Sequence, residues 1–67
     1  MNITNFSTRG LLMMHNGIRE SLTEDDKTPA DKEKPYCVRE CTDWRVMSDV
    51  IEAELKKRNV TFHAIPW

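Results

Sequence analysis

The side chains in this chain that could hold a metal or act as a nucleophile are few: Cys37, Cys41, His15 and His63. Two cysteines and two histidines match the ligand count of a structural zinc site, because thiolates and imidazoles are the donors that tetrahedral Zn2+ takes. A bound metal would also add folding free energy to a short chain. The spacing argues against it. Zinc motifs place a close pair of histidines beyond the cysteines, whereas here His15 precedes Cys37 and His63 follows Cys41. A Cys2His2 zinc-stabilised module is therefore the lesser expectation, and no other cofactor is expected. The plainer expectation is two small thiols and two unrelated imidazoles.

Other chemistry is weaker still. Either thiol with His63 and a carboxylate would supply the parts of nucleophilic catalysis. A chain of 67 residues leaves little room for a water-excluding pocket of about 300 Å³, so an enzyme is not expected. Gly10 and Gly17 are isolated and form no phosphate-cradling loop, and the run Glu24, Asp25, Asp26 does not fit a calcium loop. Arg9, Arg19, Arg39, Arg45, Lys56, Lys57 and Arg58 are interleaved with acids, and ten bases face eleven acids overall. That balance carries no strong electrostatic footprint for nucleic acid. A weak nucleic-acid-binding regulator is thus a second alternative only. No apolar run reaches the roughly 20 residues of a membrane span. The first residues, MNITNFSTRG, lack the apolar core of a signal peptide. The expected compartment is the cytoplasm, with both thiols reduced.

The elements that must position these residues are legible from periodicity. Over residues 7–22, Leu11, Met14, His15, Ile18 and Leu22 fall on one stripe at helical spacing. Ser7 or Thr8 is the expected N-cap. Leu12 and Met13 lie off the stripe, which points to a second contact surface. Residues 23–35, TEDDKTPADKEKP, carry no apolar period and two prolines, and read as a mobile polar linker. Residues 36–40, YCVRE, alternate as a short strand would. A second helix is predicted over 43–58, capped by Thr42 or Asp43, with Trp44, Met47, Val50, Ile51 and Leu55 buried. Arg45, Asp49, Glu52 and Lys56 are expected in water, Glu52 and Lys56 forming a helix-stabilising pair four apart. Asn59 suits a left-handed C-terminal position. Val60 to Ile65 alternate as a second strand, which Pro66 ends.

The expected fold is therefore α+β: one small domain over 1–67, ordered helix, linker, strand, helix, strand, with a two-stranded sheet. Two strands alone are marginal in water, and a chain of this length barely offsets its own ordering entropy. Association would relieve both problems, with dimerisation extending the sheet. The expected function is a small protein-binding regulator, inhibitor or adaptor, with another protein or a second copy of itself as partner. The expected contact residues are Leu12 and Met13 on the first helix, and Phe62, Ile65 and Trp67 at the C-terminal end, where an aromatic makes a low-entropy anchor.

Overall fold

A computed structural model describes residues 3–67. Helix α1 runs Thr8–Lys27 and helix α2 runs Thr42–Lys57, preceded by a single 3-10 turn over Ile3–Asn5. The helices are antiparallel. Arg58, just beyond α2, donates to Thr8 Oγ1 at the start of α1 at 3.2 Å, and Asp25 near the end of α1 reaches the segment that leads into α2.

Helix α1 begins as expected: Ser7 is extended, and its hydroxyl accepts from the Gly10 N–H at 3.0 Å. A side chain at position 10 would crowd that cap, because a Cβ there would lie 3.2 Å from Ser7 Oγ. The helix then runs beyond the expected end, through the polar stretch up to Lys27. The reason is Asp25. It continues the buried stripe Leu11, His15, Ile18, Leu22 by one further turn, so the stripe does not stop where the apolar residues do. Pro29 then bars the helix from continuing.

The expected sheet is absent: no strand occurs among the described residues, and the α+β fold with a two-stranded sheet gives way to a two-helix hairpin. Residues 36–40 form a turn, with Cys37 left-handed at φ 54°. A strand needs the alternate N–H groups on one side for its ladder. Here the Tyr36 and Val38 N–H groups both donate to the Asp25 carboxylate, at 3.0 and 2.7 Å. The C-terminal stretch from Val60 onward has no second strand to pair with, and packs through its side chains instead. Val60, Phe62 and Trp67 lie partly buried against the core, and Ile65 is buried within it.

Helix α2 starts at Thr42 with Cys41 in the cap position and no side-chain capping bond, so neither Thr42 nor Asp43 caps it. Its end follows expectation. Asn59 is left-handed at φ 59°. The Asn59 N–H donates to the Lys56 carbonyl at 3.0 Å and the Val60 N–H to the Leu55 carbonyl at 2.9 Å, a Schellman closure. Ile51 and Leu55 are fully buried, and Trp44 and Met47 pack at the edge of the core. Val50 does not join them: it is 42% exposed. Its place is taken by Ser48, which no solvent reaches.

No helix among the described residues is long and apolar enough to cross a membrane.

Candidate functional site

His15 is buried, as its place on the stripe implied, and Phe62 packs edge-on to its ring with centroids 5.1 Å apart. Its Nε2 donates to Glu52 Oε2 at 2.8 Å, and Ser48 Oγ donates to the same oxygen at 3.2 Å. Glu52 is thus drawn inward across the helix seam rather than standing in water beside Lys56. The carboxylate sits between the hydroxyl and the imidazole. Nucleophilic catalysis needs the imidazole beside the hydroxyl, so these three residues form a polar cross-brace between α1 and α2 and not an activated nucleophile.

The remaining zinc candidates are not gathered around His15. Cys37 and Cys41 are exposed in the turn before α2, linked by a Cys41 N–H to Cys37 carbonyl bond of 3.1 Å. His63 is exposed in the C-terminal stretch. Among the described residues no three or more His, Cys, Asp or Glu side chains converge as metal ligands.

The stretch 28–41 is held by charge. Asp25, 1% exposed, anchors it from beneath through the two backbone bonds described above. At the surface the Arg39 guanidinium holds Asp26 through both carboxylate oxygens, at 3.2 and 3.1 Å. This hydrogen-bonded contact sets the Asp26 carboxyl below its ordinary range and raises Arg39 above its own. Arg39 also donates to the carbonyls of Pro66 and Trp67. A second pair, Lys34 to Glu40 at 2.8 Å, lowers Glu40 and raises Lys34 through their shared hydrogen bond. On the far side of Trp67, the Arg45 guanidinium carbon lies 5.3 Å from the ring centroid, within cation–π range.

The five expected partner-contact residues are therefore placed very differently. Ile65 is buried, and Leu12, Phe62 and Trp67 are partly buried against the chain's own core. Met13 alone of the five stands in solvent, 69% exposed.

An apolar surface not foreseen from the sequence lies elsewhere. A groove of about 500 Å³ runs along the seam between the helices, lined by Met14, Gly17, Ile18 and Ser21 of α1 and by Asp43, Trp44, Met47 and Ile51 of α2. No residue of the 28–41 stretch or of the C-terminal stretch borders it. It therefore opens on the face that those segments leave bare. Gly17 marks its α1 wall: a Cβ built there meets nothing within 4 Å. A mid-helix glycine costs about 1 kcal/mol relative to alanine, and the internal packing of this chain does not need one at that place. The sequence signal was present in the pairing of Met14 with Gly17 on one side of α1. In the sequence Gly17 stood out only as an isolated glycine that forms no phosphate-cradling loop. A larger depression of about 750 Å³, which shares Gly17 and Ser21 with the groove and adds Arg19, Lys27, Tyr36 and Pro66, is about evenly polar and apolar and shows no convergent chemistry.

No protein-family model, curated protein or solved structure matches this chain.

Proposed function

We propose that this protein is a small protein-binding regulator that takes an amphipathic helix of a partner protein into the groove between α1 and α2. The observation that carries this reading is the groove itself: an apolar seam that no residue of the other described segments borders, with an unneeded glycine in one wall. Helix-in-groove recognition uses this arrangement, with anchors spaced i, i+3 or i+4 and i+7 along the guest. Met14 and Met47 supply flexible, polarisable walls that can fit more than one guest side chain. Trp44 supplies a large contact area at low entropy cost. Asp43 closes one end and favours a guest with a basic residue there. Leu12, Phe62, Ile65 and Trp67 serve a different purpose in this reading: they consolidate the opposite face.

The test is site-specific photocrosslinking in the native cell. A photoreactive residue at Met47 is expected to give one discrete adduct that is absent when the same residue stands at Lys32 in the exposed loop. Met47→Glu, which puts a charge in the seam, is expected to abolish co-purification of that adduct's partner by at least tenfold while leaving the far-UV circular dichroism unchanged. Equal labelling from positions 47 and 32, or full retention of the partner by folded Met47→Glu, would overturn the reading.

A further inference from the structure

The side of α2 turned away from the core should be polar, and it is not. Val46 is 59% exposed and Val50 is 42% exposed, and Ala53, on the same side, is also exposed. With Asp43 and Lys57 they form the series 43, 46, 50, 53, 57, spaced three, four, three and four, which is the heptad seam of a coiled coil. The apolar members occupy the middle and the two ends are charged with opposite sign. Both charged residues are exposed, and neither is in an ion pair among the described residues.

We infer that the outer face of α2 is a homodimer interface, pairing with α2 of a second copy in antiparallel orientation about a two-fold axis close to Val50. The charge order selects both the occupant and the direction. Antiparallel pairing of two identical helices sets the acidic end of one against the basic end of the other, so Asp43 meets Lys57 across the axis, a pair made twice. Parallel pairing would set acid against acid and base against base, which repels. A two-fold contact is self-complementary by construction, and this surface has that property in its charges as well as in its apolar centre. Each helix is 16 residues long, so the contact is at the small end for a specific interface, and the dimer is reversible and concentration-dependent. It extends beyond the groove reading, because Val46, Val50 and Ala53 do not border the groove, Asp43 being the one member of the series that lines both surfaces.

The experiment is sedimentation equilibrium on the full chain from roughly 10 μM to 1 mM, the span in which weak complexes form. The mass is expected to rise toward twice the monomer for the parent chain and to remain monomeric for Val50→Arg. Two further variants test direction: Lys57→Glu and Asp43→Lys. Each is expected to be monomeric alone, and an equimolar mixture is expected to recover the dimer mass. Circular dichroism confirms that each chain is folded, and Val50→Arg stands as the arm least exposed to misfolding, since its side chain is already in solvent. A parent chain that stays monomeric at 1 mM overturns the proposal. So does folded Val50→Arg with undiminished self-association, or folded charge-swapped chains that fail to recover each other. Val50→Arg is expected to keep the crosslink from position 47, so loss of dimerisation and loss of groove binding are read separately.

Discussion

On one face of the helix pair, the end of the chain crosses the seam, with Phe62 against His15 on α1, Ile65 buried, and Trp67 beneath Arg45 of α2. On the other face, Met14, Trp44 and Met47 line a seam that no residue of another described segment borders, Tyr36 of the turn reaching Trp44 edge-on with centroids 6.3 Å apart. The covered face is also the one stitched by polar contacts between distant parts of the chain: His15 with Glu52, and Arg39 with Asp26 and the Pro66 and Trp67 carbonyls. The bare face has flexible thioethers and a glycine. A chain this short has limited apolar material, and its described loose segments pack mainly on one side. The difference separates stability from recognition: substitutions that loosen the covered face should unfold the protein, whereas substitutions in the bare face should change binding and leave the fold intact or improve it.

The largest effect is expected at Asp25. Asp25→Ala removes the acceptor of two backbone N–H groups, one of them fully buried with Val38. Hydrogen bonds to a charged group are worth about 1.5–3 kcal/mol each, and an orphaned buried donor costs more than a bond never made. A loss of about 3 kcal/mol is the expected result, enough to leave much of a domain this size unfolded. A urea titration followed by circular dichroism measures it. If the midpoint for Asp25→Ala coincides with the parent's, the covered face is not held by this anchor and the contrast between the faces fails.

Gly17→Ala tests the other side and should move stability the opposite way. The added methyl meets nothing within 4 Å, and alanine in a helix interior is better than glycine by about 1 kcal/mol. A gain of about 0.5–1 kcal/mol in the same titration is expected, together with weaker capture of the groove partner because the seam becomes narrower. A stabilised variant that binds as well as the parent would break the link between the bare face and recognition.

The two helices could be read directly from the sequence, because an apolar stripe at helical period reports helix whatever the tertiary fold. The Schellman end at Asn59 was legible for the same local reason. What failed were inferences that required a partner at long range. Residues 36–40 and 60–65 do alternate, but alternation marks a strand only when another strand is available to take its N–H groups. A single carboxylate, Asp25, took them instead. Its burial was hidden because an aspartate inside a polar run looks like solvent, although its position three residues beyond Leu22 continues the stripe. Val50 was misplaced for the reverse reason: an apolar side chain was assumed to face inward, and the inward position belongs to Ser48, which bonds to Glu52. The buried polar residues thus decided the chain's path, and hydrophobic pattern alone does not reveal them. The bare groove was equally invisible, since no pattern in one chain states which of two apolar flanks its own segments will cover.

The smallest effect, and the one that refines the comparison, is the acid response of the surface clasp on the covered face. Asp26 titrates below its ordinary value because Arg39 hydrogen-bonds its charged form, and Glu40 does so because of Lys34. A carboxyl whose folded value is lowered adds stability that is present above its unfolded value, near 3.9 for Asp and 4.3 for Glu, and that is lost as pH falls through the folded value. Both pairs are at the surface, where solvent and salt screen them, so the loss is small and shrinks further at high ionic strength. Asp26→Asn removes one of the two contributions. The variant's unfolding midpoint should therefore fall less steeply than the parent's between about pH 5 and pH 3, with the two curves converging at the acid end. Arg39 also reaches the Pro66 and Trp67 carbonyls, so the clasp fastens the C-terminal stretch as well as the turn. The Trp67 contribution to fluorescence should then redden across the same acid range in the parent chain, more than that of Trp44, which lines the seam and meets the turn through the Tyr36 ring, centroids 6.3 Å apart. An equal response from both indoles would mean that acid loosens the molecule as a whole, and that the two faces do not differ in what holds them.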